Sequence, residues 1–217
     1  MPLPTGMSPE VSMSIGTAGL TAMLCVMALE EGGVTPDKGP IVVSGAAGGV
    51  GSVAVAILAK LGYEVAAITG RAETEPYLRG LGATTILTRE EMSEKARPLE
   101  RQRWAGGIDT VGDAMLARIL AEADYNATVA ACGLAGGFNL PTPVMPFILR
   151  NVRLQGVDSV MCPVERRTQA WNRLQTDLPA AALGEISQVI SLDQVPEYAE
   201  KIVNGKVQGR TIVDLHK

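Results

Sequence analysis

The segment 41–61 constrains the fold more than any other part of this 217-residue chain. A β-branched run at 41–44 leads into a glycine-rich loop at 45–51, and apolar residues then recur at helical spacing as far as Leu61. Gly62 ends the helix, and a second apolar run follows at 64–69. A strand, a crossover helix and a strand of this length predict one βαβ unit, which belongs to a parallel sheet.

The same alternation of strands and helices continues along the chain. It predicts strands at 84–87, 108–111, 128–132 and 153–157, and helices at 75–81, 90–104, 113–124 and 164–176. An apolar stretch at 15–29 precedes the first strand and is predicted to be a core helix. The predicted fold class is therefore α/β: a doubly wound Rossmann sheet of about six parallel strands with helices on both faces.

The C-terminal residues follow a different pattern. They predict a strand at 185–190, a helix at 193–204 and a strand at 211–215. The run 179–184 begins with proline and ends with glycine, which predicts a hinge before these elements. We therefore divide the chain into a Rossmann domain at 1–184 and a short C-terminal α/β tail at 185–217.

Composition excludes several classes of function. Hydrophobic residues make up 47% of the chain, charged residues 19%, and the net charge is -4, which is typical of a globular protein. No run of Lys or Arg favours nucleic acid or an anionic membrane as a partner. The stretch 15–29 is interrupted by Gly16 and Gly19 and is shorter than a typical membrane span. Neither a signal peptide nor a transit peptide is evident at the first ten residues.

Histidine and cysteine are too sparse for many kinds of active site. The single histidine, His216, is the penultimate residue, and the three cysteines form no CxxC pair. We therefore expect no metal site, no Ser/His/Asp triad and a reducing, cytoplasmic location.

The glycine loop predicts a binding site for a dinucleotide. A diphosphate needs backbone N–H groups that approach it closely and gains from the positive end of a helix dipole. Gly45 provides the turn, Gly48 the close approach and Gly51 the tight packing of the helix against the strand. The spacing G-x-x-G-x-x-G differs from the standard motif, so the prediction depends on its position between a strand and an amphipathic helix.

The end of the second predicted strand indicates which nicotinamide cofactor binds. An acidic residue there would bind the ribose of NAD, but the sequence places Arg71 there, with Thr69 two residues earlier. A guanidinium matches the geometry of a 2'-phosphate, so the sequence favours NADPH. Glu73 and Glu75 are counter-evidence, although carboxylates at the start of a helix more often serve its dipole.

These motifs together resemble a known group of enzymes. The resemblance extends from about residue 15 to the C-terminus and is carried by the segments 44–52, 81–83, 108–113, 131–137 and 145–161. The sequence resembles the medium-chain dehydrogenase/reductase superfamily. Within that superfamily it resembles the zinc-free, NADPH-dependent acryloyl-CoA reductases of the quinone-oxidoreductase branch. The resemblance implies reduction of an activated double bond: hydride transfer to the β-carbon of acryloyl-CoA and protonation of its α-carbon, giving propanoyl-CoA.

The resemblance also implies a set of cofactor-binding residues. It assigns the diphosphate to the loop Ala47, Gly48, Gly49 and Val50. It assigns the 2'-phosphate to Thr69, Gly70 and Arg71. Leu140 would line the nicotinamide end, and Arg210 would be a cation near the cofactor. No catalytic residue is assigned, and no metal ligand. The predicted small-molecule partner is an acyl-CoA or another activated alkene.

The chain also departs from the family pattern. Members begin with a barrel-like domain that covers the nicotinamide, and no such sequence precedes Met1, so we expect a truncated chain whose tail would rejoin that domain. Two alternatives to a reductase follow: an NADPH-binding module without turnover, and a recruited, esterase-like hydrolase. The sequence around Ser44 does not contain the G-x-S-x-G elbow that would support a hydrolase. We further expect a homo-oligomer, a dimer formed through the sheet edge at 153–157.

Overall fold

A computed structural model describes residues 3–216. The helices, in chain order, are α1 (Pro9–Glu31), α2 (Gly49–Lys60), α3 (Glu75–Gly80), α4 (Arg89–Ser93), α5 (Asp113–Ala121), α6 (Met145–Arg150), α7 (Val164–Asp177), α8 (Ala180–Ile186) and α9 (Val195–Val203). The strands are β1 (Ile41–Val43), β2 (Val65–Thr69), β3 (Thr85–Thr88), β4 (Trp104–Asp109), β5 (Ala123–Ala131), β6 (Arg153–Gly156), β7 (Ser187–Ser191) and β8 (Arg210–Asp214).

Six of the strands form one parallel sheet in the order β3-β2-β1-β4-β5-β6. The predicted Rossmann fold is confirmed. Chain order reverses between β1 and β4, and ligands of such sheets bind in the crevice at the carboxyl ends of the strands at this switch point. The glycine loop leaves β1 at that place.

Helix α1 forms much of the core on one face of the sheet. It packs against α2 and α7, and its residues from Ala18 to Leu29 are buried. The helix runs from Pro9 to Glu31, longer than predicted, and by length and composition it could cross a membrane. However, 72% of its most apolar window is buried inside the fold, as expected of a core helix. A kink at Gly16 separates its first two turns from the rest.

The prediction of a helix at 90–104 is mostly wrong. Helix α4 ends at Ser93, the chain then crosses Pro98 without regular structure, and Trp104 is the first residue of β4. Proline lacks the N–H that a helix interior needs, and Trp104 is buried, with its Nε1 donating to Glu122 Oε2 at 3.0 Å. Burial of this indole therefore outweighs the helical preference of the charged residues before it.

The C-terminal residues also differ from the prediction. The segment predicted as a hinge lies in helix α8, and β7 begins at Ser187 rather than at residue 185. β7 and β8 pair in parallel as a separate two-stranded sheet. Helix α8 spans the predicted domain boundary and packs against α2, while β8 packs against α1. The boundary itself stays a prediction.

Candidate functional site: a cofactor cleft at the switch point

The glycine loop turns tightly between β1 and α2. Gly48 N–H donates to the Gly45 carbonyl at 2.9 Å, and Ser52 N–H makes the first helical bond, to the Gly48 carbonyl. A Cβ at Gly51 would lie 2.4 Å from the Gly45 carbonyl oxygen, so only glycine permits this contact between helix and loop. The N–H groups of the first helical turn, from Gly49 to Gly51, have no acceptor within the helix, because its first bond is that of Ser52 N–H, and they can bind an anion.

A buried carboxylate fixes the loop to the neighbouring strand. Asp109, at the end of β4, accepts from Ser44 Oγ at 2.6 Å and from Gly112 N–H at 2.7 Å. Thr110 N–H donates to Ser44 Oγ, and Thr110 Oγ1 donates to the Ser44 carbonyl, both at 3.0 Å. Burial raises the pKa of Asp109, and the hydrogen bonds from Ser44 and Gly112 oppose that rise. These bonds hold the two strand ends at the switch point in fixed positions.

The carboxyl end of β2 presents Arg71 to the cleft. Thr69 Oγ1 accepts from Arg71 N–H at 3.1 Å and lies 2.9 Å from Thr74 Oγ1. The threonine hydroxyl is therefore engaged in shaping this turn. The Arg71 side chain extends from the turn, and its Nη2 donates to the Val207 carbonyl of the C-terminal tail at 3.1 Å. Only one of its five N–H groups takes part in this bond.

The tail closes the other side of the cleft. Gly209 N–H donates to the Ala47 carbonyl at 3.0 Å, which ties the tail to the glycine loop. Arg210 follows, and its Nε donates to the Ser14 carbonyl at 3.2 Å, just before the kink in α1. Burial lowers the pKa of the Arg210 guanidinium, because desolvation disfavours its charge. A desolvated cation beside the start of α2 favours a bound anion.

These elements enclose a cleft of about 620 Å³. Most of the predicted cofactor-binding residues line it: Ala47, Gly48, Gly49, Thr69, Gly70, Arg71 and Arg210. Two do not. Val50 packs against the hydrophobic core from the first turn of α2. Leu140 lies in the exposed loop between β5 and α6, directly after Asn139, whose carbonyl accepts from Asp113 N–H at the cleft.

Sequence reasoning missed other residues that line the cleft. They come from the carboxyl ends of β3 and β4 and from the tail: Arg89, Ser93, Thr110, Val111, Gly112, Asp113, Val207 and Gly209. The rule that ligands bind at the switch point would have indicated 110–113, because β4 lies next to β1. Nothing in the sequence places Arg89 there, since its position depends on the pairing of β3 with β2.

Comparison with known proteins identifies the family. The family model described as zinc-binding dehydrogenase matches residues 49–176. The chain belongs to this family. The match begins in the first turn of α2 and ends in α7, so it covers most of the sheet. The resemblance to the medium-chain dehydrogenase/reductase superfamily is confirmed.

Two relatives within the family are similar over nearly the whole chain. The probable acrylyl-CoA reductase AcuI of Escherichia coli (strain K12) is 60% identical over 214 residues, and the acrylyl-CoA reductase AcuI of Ruegeria pomeroyi is 55% identical over 217 residues. These alignments cover 99% and 100% of the chain. The chain spans 66% of the length of each relative.

Solved structures agree with this placement. The yhdH oxidoreductase of Salmonella enterica, in complex with NADP, superimposes with a TM-score of 0.97 at 59% identity, covering 99% of this chain and 66% of that one. The yhfP protein of Bacillus subtilis, with NAD bound, superimposes with a TM-score of 0.94 at 43% identity and the same coverage. Similar folds in this family therefore bind either nicotinamide cofactor.

The residues described here do not fit the zinc that the family's name implies. Within residues 3–216, no three His, Cys, Asp or Glu side chains come together to hold a metal ion. A hydrolase centred on Ser44 finds no support either, because that side chain is buried and donates its proton to Asp109. The cleft instead offers free helix N–H groups and guanidinium groups, which suit a phosphorylated ligand.

Proposed function

We propose that the cleft binds NADPH. The observation that carries this proposal is the placement of Arg71, which extends from the end of β2 into a cleft that also contains the glycine loop. The loop offers N–H groups to a diphosphate, Arg210 adds a positive charge beside it, and Arg71 offers unused N–H groups to a 2'-phosphate. The NADP complex of the relative at 59% identity supports the same choice.

We propose further that the protein reduces the activated double bond of an acyl-CoA, converting acryloyl-CoA to propanoyl-CoA. The relatives named as acrylyl-CoA reductases support this substrate class. When bound, NADPH supplies the hydride that the β-carbon receives. The chain's own residues fix the loop through Asp109 and Ser44 and hold the phosphates.

Titration with the two reduced cofactors tests the binding proposal. We expect tighter binding of NADPH than of NADH, measured by quenching of tryptophan fluorescence. The variant Arg71→Gln should weaken NADPH binding by about tenfold to a hundredfold, since hydrogen bonds to charged groups contribute about 1.5–3 kcal/mol. Its affinity for NADH should change by less than about twofold. Arg79→Gln is the control, because Arg79 is exposed on α3 and lies outside the cleft. Equal affinities for the two cofactors in the wild type would contradict the proposal.

Turnover with acryloyl-CoA separates the reductase from the module that only binds cofactor. We expect NADPH absorbance to fall on addition of acryloyl-CoA, with propanoyl-CoA formed in equal amount. Tight NADPH binding without turnover by this chain would select the binding module. Since the chain spans 66% of the relatives' length, the same assay on a fusion to the remaining third of a relative shows whether activity needs that part.

Three further proposals concern the location, the metal content and the oligomeric state of the protein. We propose that it acts in the cytoplasm, without zinc, and as a homodimer. The sparse cysteines support the first and the lack of a metal-ligating cluster within residues 3–216 supports the second. The dimer is supported by β6, which pairs only with β5 in the described sheet and leaves its other edge open.

A further inference from the structure

Two of the chain's three cysteines meet behind the cofactor cleft. Cys25 is a buried residue of α1, and Cys132 directly follows β5. Their thiols are hydrogen-bonded to each other, and Cys132 Sγ also donates to the Asp109 carbonyl at 3.5 Å. The third cysteine, Cys162, donates instead to the Pro163 carbonyl at 3.6 Å. The proposed reduction uses none of these thiols.

The packing of α1 along β5 brings the two cysteines together. Gly32, which follows α1, lies so close to Thr128 of β5 that a Cβ at Gly32 would overlap the threonine hydroxyl. From Gly32 back to Cys25 the helix covers about 10 Å. From Thr128 forward to Cys132 the chain covers about 13 Å. Helix and strand therefore stay level between these two contacts, and the meeting of the thiols follows from the packing of the core.

The two thiols differ in their access to solvent. Cys25 is fully buried, whereas Cys132 is half-buried. The hydrogen bond from Cys25 lowers the pKa of Cys132, and the thiolate is the form of cysteine that a peroxide oxidises. A thiol that solvent reaches, next to a second thiol that it does not reach, is the arrangement of a reactive and a resolving cysteine.

Cys132 is connected by backbone hydrogen bonds to residues that line the cleft. Its N–H donates to the Asp109 carbonyl at 2.9 Å. In the loop that follows, Gly136 N–H donates to the Val111 carbonyl at 2.8 Å. Gly136 and Val111 both line the cleft. A displacement of Cys132 is therefore transmitted to the cofactor site.

We propose that Cys25 and Cys132 form a redox site, in which a hydroperoxide converts the two thiols into a disulfide and thereby weakens cofactor binding. The effect on the cofactor rests on the proposed function, whereas formation of the disulfide does not. Bonded sulfur atoms lie about 2.05 Å apart, so Cys132 Sγ must move toward α1 and away from the Asp109 carbonyl. Transient disulfides of this kind also occur in reducing compartments.

The reaction has two steps. First, Cys132 sulfur attacks an oxygen of the peroxide, the O–O bond breaks, and the thiol proton leaves with the second oxygen as water or an alcohol. Cys132 is then a sulfenic acid. Next, Cys25 sulfur attacks Cys132 sulfur, the S–O bond breaks, and the hydroxide leaves with the Cys25 proton as water. The two thiols lose two electrons, and the peroxide gains them.

Peptide mapping of the full chain tests the disulfide. The reduced protein is treated with hydrogen peroxide, and the remaining thiols are then blocked with N-ethylmaleimide in denaturant. We expect a link between Cys25 and Cys132 and a blocked, unlinked Cys162. Cys162→Ala is the matched control and should keep the link. In Cys25→Ala, whose alanine suits a buried site, peroxide should take Cys132 to a sulfinic acid that dithiothreitol does not reduce.

Titration of the same samples with NADPH tests the effect on the cleft. We expect oxidised wild type to bind NADPH about tenfold more weakly than reduced wild type, because the disulfide displaces a support of the site by about 1 Å. Dithiothreitol should restore the affinity. Cys132→Ala should keep its affinity after the same peroxide treatment, which controls for oxidation of methionine.

Four outcomes would overturn the proposal. One is a peroxide-treated wild type without the link, and a second is a link that involves Cys162 instead. A third is a link between Cys25 and Cys132 that leaves NADPH affinity unchanged. The fourth is an equal loss of affinity in oxidised Cys132→Ala, which would place the sensitive residue elsewhere. Failure of the proposed function differs from all of these, because reduced wild type would then not prefer NADPH.

Discussion

Tyr77 carries a buried polar group that the fold leaves unsatisfied. Its hydroxyl lies near the α-carbon of Gly209 and has no hydrogen-bond partner among residues 3–216. The nearby Ser52 hydroxyl donates its own proton to the Ala46 carbonyl. Burial raises the pKa of Tyr77 from 10.0 to about 12, because the phenolate would lose its hydration.

Replacement of this residue should therefore stabilise the protein. We expect Tyr77→Phe to raise the free energy of unfolding by about 1 kcal/mol near pH 8, since it removes a buried group without a partner. A raised pKa in the folded state means that stability is lost as the pH rises from 10 toward 12. The advantage of Tyr77→Phe should therefore grow by about 1 kcal/mol near pH 11.

Chemical denaturation at the two pH values measures both effects. Tyr125→Phe serves as the control, because Tyr125 is 61% exposed and its substitution should change stability by less than about 0.5 kcal/mol. The same dependence on pH in wild type and Tyr77→Phe would refute the argument.

Two arginines that line the cleft, Arg71 and Arg89, show what sequence can and cannot predict about single residues. Arg71 follows the glycine loop at the spacing expected for the end of a second strand, so a local pattern predicts its role. Arg89 reaches the same cleft only because Thr69 and Thr88 are in register. Strand register is set by the pairing of distant segments, and no pattern around Arg89 encodes it.

At the scale of elements, the connection between the loop and α2 is the most demanding contact of the cleft. A methyl group at Gly51 would clash with backbone atoms, 2.4 Å from the Gly45 carbonyl oxygen and 2.6 Å from Ala46 Cα. Backbone cannot move aside as a side chain can, so the loop and the helix must separate. We expect Gly51→Ala to lower the free energy of unfolding by about 3 kcal/mol and to weaken NADPH binding at least about tenfold.

The matched control is a glycine with room around it. Gly184 lies within α8, and a Cβ there would meet no atom within 4 Å. Gly184→Ala should therefore raise stability by about 0.5–1 kcal/mol through helix propensity and leave cofactor binding unchanged. Thermal unfolding and the cofactor titration report both quantities. If Gly51→Ala were as stable as Gly184→Ala, the tight packing of loop and helix would not be needed.

Elements were predictable where local pattern and tertiary packing agree. Strand β1, the glycine loop and α2 combine β-branched residues, turn residues and helical spacing in sequence, and the structure places them as predicted. The stretch 90–104 contains charged residues that favour a helix, but burial of Trp104 beside Glu122 draws the second half into the sheet. Alanines at 180–182 continue into α8 because Leu183 and Ile186 are buried there.

On the scale of the whole molecule, the tail is part of the cofactor cleft. It reaches the glycine loop through Gly209, Arg71 after β2 through Val207 and α1 through Arg210. The tail therefore joins three parts of the cleft that the Rossmann sheet alone would leave separate. The sequence predicts a tail that would rejoin another domain. In the structure the tail also brings the positive charge of Arg210 to the site proposed for the diphosphate.

The open edge of the sheet leads to the last prediction, which concerns self-association. β6 has no partner on its outer side within the described residues, and large apolar side chains flank it. Ile148 before the strand is 73% exposed, and Val160 and Met161 after it are each 79% exposed. A symmetric pair of such edges would bury these side chains and complete the backbone hydrogen bonds of both strands.

Sedimentation velocity at increasing protein concentration measures this association. We expect a dimer at micromolar concentration, and we expect Val160→Glu to shift the molecule to a monomer, because two desolvated carboxylates would face each other near the two-fold axis. Val203→Glu is the control, since Val203 is 86% exposed at the end of α9, beside Ile202, which lines the cofactor cleft and not the sheet edge. A wild-type chain that stays monomeric at the highest concentration would contradict the prediction. So would a dimer that Val160→Glu leaves intact, because the contact would then lie on another face.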